Sequence, residues 1–193
     1  MSGDPPSMRD WLEGELYQRR TLQLAGVLDD ETGARIAAAL MTMDAEGDDS
    51  VELRITSPSG SIDAAFSLID TIDLLGVPVR GLALGRVAGP AAFVLALCPL
   101  RQAAPSATIQ FREPDFSHSG RPDELLRATA SDQQRLDHLV ERLVAVSGRP
   151  RDEIAADVRR GRIFTAVDAL EAGFVDELAV PPKVGRKGNA PIV

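Results

Sequence analysis

The sequence contains only one cysteine, Cys98, among its 193 residues. A single thiol excludes a disulfide framework within the chain and a cysteine-rich zinc site. Cys98 lies inside an apolar run, where a thiol usually packs as a small hydrophobic side chain, so we expect it to be buried and unreactive. The two histidines, His118 and His138, lie far apart in the sequence and form no metal-binding signature. The sequence therefore predicts no metal and no cofactor.

Long apolar runs and an excess of basic residues are lacking as well. The longest apolar run, Ala91–Leu97 with its flanks, is too short to span a bilayer. Residues 1–16 show no basic segment followed by an apolar stretch, the pattern of a signal peptide. The net charge is -8, with 29 acidic against 21 basic residues. Since an acidic surface repels phosphate backbones and anionic lipids, we expect no nucleic acid and no membrane as partner, and a reducing, cytoplasmic location.

Short apolar runs alternate with helical patterns along the chain, and the hydrophobic fraction of 44% fits one domain with a sizeable core. Apolar runs predict strands at residues 22–24, 51–56, 79–84, 108–112 and 174–178, with turns at 57–60 and 85–90. Helical spacing predicts helices after Asp29 and Ser61, at 91–97, from Arg121 to Gly148, at 154–160 and at 165–172. This alternation is typical of an α/β layered fold.

Four segments stand in a distinctive order: LDDET at 28–32, TSPSGS at 56–61, GRVAGPAAF at 85–93 and FTAVDALEAGFVD at 164–176. They resemble the VDDET, NSPGGS, GMAASMGAF and LSAxEAxEYGLVD segments of the Clp protease proteolytic subunit family. The resemblance implies an α/β crotonase-like (ClpP-like) layered fold in which the long helix after Arg121 is a protruding handle. It divides the chain into an N-terminal segment (1–19), a ClpP-like domain (20–180) and a flexible C-terminal tail (181–193). The wider crotonase superfamily shares this architecture.

The resemblance also assigns the family's catalytic positions. Its nucleophilic serine falls on Gly89, its histidine on Arg112 and its aspartate on Gly161, while its oxyanion-hole donors fall on Ser59 and Pro90. Glycine has no nucleophile, proline has no N–H, and arginine stays protonated and cannot act as a general base. The sequence therefore predicts no catalytic residues and a chain that is not an enzyme but an inactive homologue of an ATP-dependent serine endopeptidase, with a structural or regulatory role.

Two other functions remain open. The chain could be an active Clp serine peptidase subunit whose catalytic site is displaced, although His118, His138 and the serines near residue 59 are typical of structural roles. It could also be a free-standing crotonase-type binding protein that uses the amides of Gly60 and Gly89.

The resemblance implies partners too. We expect a ring made of this chain or of paralogous Clp proteolytic subunits, with a heptamer as the family's form. The family docks its ATPase on aromatic side chains of the strand before the SPGG motif, where this chain has Glu52 and Arg54. Charged groups fit an apolar pocket poorly, so we expect weak or absent docking of the Clp ATPase. Arg159 stands where the family has an acidic residue that joins two rings, which puts ring stacking in question.

Overall fold

A five-stranded parallel sheet forms the centre of the fold. The computed structural model describes residues 7–113 and 121–180, so His118 and the predicted tail at 181–193 lie outside the described residues. The strands are β1 (Thr21–Leu28), β2 (Val51–Gly60), β3 (Val79–Ala83), β4 (Arg86–Ala88), β5 (Leu100–Ala103), β6 (Thr108–Gln110), β7 (Ile163–Thr165) and β8 (Glu177–Leu178). The larger sheet has the order β1-β2-β3-β5-β8, with every neighbouring pair parallel. The smaller sheet has the order β4-β6-β7 and contains one antiparallel pair, β6 with β7.

Local sequence signals set the ends of several helices. The helices are α1 (Met8–Gln18), α2 (Asp30–Glu46), α3 (Ile62–Leu74), α4 (Pro90–Ala96), α5 (Pro122–Ser147), α6 (Arg151–Arg160) and α7 (Ala166–Glu171). Asp29 caps α2 by accepting a hydrogen bond from the N–H of Thr32, and the hydroxyl of Ser61 accepts one from the N–H of Ala64 at the start of α3. Gly148 ends α5 in the left-handed conformation. The helix starts predicted at Asp29 and Ser61 are therefore confirmed.

The hydrophobic core lies between the larger sheet and helices α2, α3 and α4. Along β2, Val51, Leu53 and Ile55 are fully buried, while the intervening Glu52 and Arg54 are half-buried. This alternation confirms the predicted strand, because successive side chains of a strand point to opposite faces of the sheet. Helix α4 is buried along its whole length, which explains the apolar run around Ala91–Leu97.

Helix α5 corresponds to the predicted handle. Its C-terminal half packs on the core through Leu139 and Leu143, whereas Leu126 in its N-terminal half is 74% exposed. Two ion pairs attach it to α3: Arg135 with Asp63, and Arg142 with Asp73. The fold class predicted from the resemblance is thus confirmed, with a long helix that is anchored at one end.

Three local predictions are wrong. Residues 57–60 are not a turn, because β2 continues to Gly60 and pairs it with Leu28 of β1, after a register shift at which β2 has one residue more than β1. Only a glycine fits there, since a Cβ at position 60 would lie 2.6 Å from the carbonyl oxygen of Leu28. The predicted turn at 85–90 contains the short strand β4, and the strand predicted at 174–178 is limited to β8 because Phe174 and Val175 pack into the core after α7. No helix in the described ranges is long and apolar enough to cross a membrane.

Candidate functional site

Gly89 lies at the turn from β4 into α4, with φ 60° and ψ -133°. This positive φ favours glycine, because a Cβ crowds the backbone there. The N–H of Gly89 donates a hydrogen bond to the carbonyl oxygen of Gln110, at 2.9 Å, which ties the turn to β6. Arg112 lies next to Gly89: a Cβ built on Gly89 would lie 3.4 Å from the Nε atom of Arg112, a van der Waals contact. Positions 89 and 112 are therefore direct neighbours.

Gly161 joins the same site from α6. It caps the C-terminus of that helix in the left-handed conformation, with φ 62° and ψ 45°. A Cβ built on it would lie 3.7 Å from the Cβ of Arg112 and 3.4 Å from the Nε2 atom of Gln110. The three positions that the resemblance assigned from separate parts of the chain thus converge on Arg112.

Gln110 connects the members of this site and was missed by the sequence analysis. Its Nε2 donates to the carbonyl oxygen of Gly161 at 2.8 Å, and its Oε1 accepts from the Nη2 of Arg86 at 3.1 Å. A signal was present, because Gln110 and Arg112 are two residues apart on a predicted strand and so share one face. Arginines stand at both 86 and 112, and position 112 is the one to which the resemblance assigns the family's histidine.

The two predicted oxyanion-hole positions differ in their surroundings. Pro90 is the buried first residue of α4 and has no N–H to donate. Ser59 lies on β2, where it pairs with Val27 and its carbonyl oxygen accepts a hydrogen bond from the hydroxyl of Ser57 at 3.0 Å. Pro90 therefore adjoins the Gly89 site, while the described contacts of Ser59 fix it to neighbours on β1 and β2.

Four phenylalanine side chains pack together in the core next to the site. Phe111, between Gln110 and Arg112, points into the core, with its ring 5.6 Å from that of Phe93 on α4 and 4.5 Å from that of Phe174. Phe164 on β7 packs against Phe174, with ring centroids 5.1 Å apart. These contacts join α4, β6 and β7, the elements that carry or flank the three converging positions, so the site has a rigid base.

Other reactive side chains take structural roles in the described residues. Cys98 is buried, and burial raises the pKa of its thiol to about 12, so it is a poor nucleophile. The ring of His138 stacks on Phe66, with centroids 6.4 Å apart. Ser57 is fully buried and Ser61 caps α3. Within residues 7–113 and 121–180, no group of three histidine, cysteine or carboxylate side chains could hold a metal ion.

Comparison with known proteins places the whole fold in one family. The family model for Clp protease matches residues 8–181. The chain belongs to the Clp protease family. It is 32% identical to the ATP-dependent Clp protease proteolytic subunit of Pleurastrum terricola over 177 residues, which cover 88% of this chain and 89% of the relative. It is 31% identical to proteolytic subunit 1 of Streptomyces avermitilis and 30% identical to proteolytic subunit 3 of Streptomyces coelicolor, each over 182 residues that cover 91% of this chain and 83% of the relative.

These relatives correct one prediction. The prediction that the chain is not an enzyme is contradicted by relatives that are named proteolytic subunits of ATP-dependent Clp protease. The error came from equating the chemistry of one site with the class of the protein. The residues at 89, 112 and 161 describe that site alone, whereas membership in the family rests on nearly the whole chain.

Proposed function

We propose that this chain is a structural or regulatory subunit of a Clp-type proteolytic ring, formed with copies of itself or with paralogous subunits. Membership in the Clp protease family supports the assembly, because the family model covers nearly the whole described chain. The convergence of Gly89, Arg112 and Gly161 supports the role within it. Under this proposal the chain serves a protease through its position in the ring, with a heptamer as the expected ring size.

The chemistry of the Gly89 site carries the proposal. Cleavage by a Ser–His–Asp mechanism requires a nucleophile, a neutral base within hydrogen-bond reach and backbone donors for the oxyanion. Gly89 has no hydroxyl and Pro90 has no N–H. Arg112 has a guanidinium, which cannot accept a proton at neutral pH.

The outer face of β2 supports a second feature, weak docking of the Clp ATPase. Glu52 and Arg54 form an ion pair of 2.6 Å on this face, where the family resemblance places aromatic residues. Both groups are half-buried, so an apolar partner segment would have to desolvate them. The ring would then receive the ATPase through other subunits.

One other function has a specific observation in its favour. The relatives are named proteolytic subunits, which favours a peptidase whose nucleophile lies away from Gly89. In the described residues Ser57 is a poor choice, because it is fully buried and its hydroxyl already donates to Ser59.

A single set of measurements separates the two functions. The purified chain is treated with a fluorophosphonate, assayed for peptide hydrolysis, and weighed by native mass spectrometry alone and after mixing with an active Clp proteolytic subunit. Our proposal expects no labelling of this chain and mixed rings whose peptidase activity or size differs from that of the active subunit alone. Stoichiometric labelling of one of its serines would overturn the proposal in favour of the displaced site, and a strict monomer in every mixture would remove the ring role.

A further inference from the structure

An apolar groove separates α1 from β1 and α2, at the edge of the larger sheet. Its volume is about 860 Å³, and most of its lining is apolar: Met8, Leu12, Leu16, Tyr17, Leu22 and Ala39. Two of these side chains are open to solvent, Met8 at 72% and Leu12 at 48% exposure. A groove of this size can hold a peptide segment, and apolar surface of this extent usually marks a binding site.

The two helices that border the groove, α1 and α2, carry more acidic than basic residues, while Glu13 and Arg35 line the groove itself. Helix α1 and the first turn of α2 contribute five carboxylates: Asp10, Glu13, Glu15, Asp30 and Glu31. Arg35 lines the groove and pairs with Glu13 at 3.4 Å, but both side chains are about half exposed, so this ion pair contributes little. The groove therefore favours an occupant that combines apolar side chains with positive charge.

The chain itself contains such a segment. Residues 181–193, PPKVGRKGNAPIV, carry three basic side chains, no acidic side chain, and the apolar Val184, Ile192 and Val193. We infer that residues 181–193 dock in the groove between α1, β1 and α2. The basic side chains would face the carboxylates of α1, and the apolar side chains would cover Met8 and Leu12. This inference does not depend on the role of the Gly89 site.

The dimensions of the fold allow this docking. The segment follows Val180, just after β8, and β8 lies at the opposite edge of the sheet from β1. Four strand spacings separate the two edges, a distance of about 19 Å. A segment of 13 residues can extend over about 45 Å, so it can reach the groove of its own chain or that of an adjacent copy.

Cysteine cross-linking in the full chain tests the inference. The variant pairs Ala190→Cys with Ala25→Cys, an exposed residue of β1 that lines the groove. Its matched control pairs Ala190→Cys with Ala34→Cys, which is exposed on α2 but does not line the groove. Native Cys98 does not compete, because it is buried and burial raises the pKa of its thiol to about 12. We expect the 25–190 disulfide to form at least tenfold faster than the 34–190 disulfide, as a cross-linked monomer or dimer.

Reversing the charge of residues 181–193 provides a second test of the docking. Lys183→Glu, Arg186→Glu and Lys187→Glu together should remove this rate advantage, whereas swapping lysine and arginine at the same positions should preserve it. Trp11, the single tryptophan of the chain, lies beside Leu12 and is 55% exposed, so acrylamide quenching of its fluorescence should rise about twofold in the charge-reversed variant. Equal rates for the 25–190 and 34–190 disulfides would overturn the inference. Dimers joined only through two copies of residue 25 would also overturn it, and would assign the groove to a second copy of the chain.

Discussion

Arg112, which cannot act as a general base, lies in van der Waals contact with the position of a side chain at residue 89, since a Cβ on Gly89 would lie 3.4 Å from its Nε and 3.8 Å from its Cγ. We therefore predict that Gly89→Ser alone brings no gain in peptide hydrolysis. It should lower the free energy of unfolding by about 1–3 kcal/mol, because the positive φ of Gly89 strains any residue with a Cβ. Gly148→Ser is the matched control: its φ is also positive, at 68°, but nothing lies within 4 Å of its Cβ position. Denaturant unfolding should show a smaller loss for the control.

The combined variant Gly89→Ser, Pro90→Met, Arg112→His and Gly161→Asp addresses the same site. It places a hydroxyl, an N–H donor, an imidazole and a carboxylate at the positions that the resemblance assigns to the family's catalytic groups, and weak peptide turnover is expected from it. Turnover from Gly89→Ser alone would mean that another base serves the site, and would contradict the role that we assign to Arg112.

A second prediction concerns the carboxylate of Asp176, which joins the start of β8 to β5. Burial opposes its ionisation, but the side-chain and backbone hydrogen bonds from Arg101 outweigh burial and hold the pKa of Asp176 below its ordinary value of 3.8. A carboxyl group with a lowered pKa stabilises the folded state above its unfolded pKa, and this contribution is lost as the pH falls through the folded-state pKa.

Asp176→Asn should therefore be less stable than the natural chain at pH 7, and the difference should begin to shrink as the pH falls below about 4 and be lost below the folded-state pKa of Asp176. Urea unfolding of both proteins at a series of pH values measures this convergence. Asp48→Asn, in the exposed loop between α2 and β2, is the control. A stability difference that stays constant down to pH 2.5 would show that the Asp176 effect is not one of charge.

Much of the fold could be predicted from local sequence signals. Asp29 and Ser61 are cap residues whose effect depends on the next three residues, and the alternation in β2 reflects burial of one face. The strand at Ser57–Gly60 could not be predicted, because Ser, Pro and Gly normally mark turns and only pairing with β1 makes this stretch extended. Strands β5 and β7 are too short for a period to be seen, and they exist because neighbouring strands supply their hydrogen bonds.

The candidate site could be predicted only as separate positions. The resemblance gave Gly89, Arg112 and Gly161, but their convergence depends on how α6 returns beside β6, a contact between residues about fifty positions apart. Gln110 has no motif of its own; its spacing from Arg112 on the predicted strand indicates a shared face, but its hydrogen bonds to Arg86 and Gly161 are seen only in three dimensions.

A third prediction concerns the Glu52–Arg54 ion pair on the outer face of β2. Replacing both residues with tyrosine should strengthen binding of the Clp ATPase by at least tenfold, since it removes the cost of desolvating two charged groups and adds aromatic contact area. The swap Glu52→Arg with Arg54→Glu keeps the ion pair and should leave binding unchanged. Surface plasmon resonance with immobilised ATPase compares the variants. Equal affinities for the tyrosine and swapped variants would refute the proposed weak docking at this face.

The last prediction concerns Arg159, an exposed residue in the last turn of α6. The family resemblance places an acidic contact residue here, so in stacked rings of this chain arginines would meet arginines across the two-fold axis. Like charges repel, but salt screens the repulsion, with a Debye length of about 8 Å at physiological ionic strength. We therefore expect single rings at low salt and more double rings at high salt. Arg159→Asp should shift the balance toward double rings at low salt.

Sedimentation velocity at 50 mM and 500 mM NaCl measures this balance. Because Arg159 also favours the C-terminal end of α6 by its charge, Arg159→Gln is needed as a control that removes this helix contribution without adding an acidic group. If Arg159→Gln and Arg159→Asp stack equally well, loss of the positive charge is sufficient and no acidic contact is restored. If neither variant changes the proportion of double rings at either salt concentration, Arg159 does not lie at the contact between rings, and the two-fold arrangement carried over from the family does not apply to this chain.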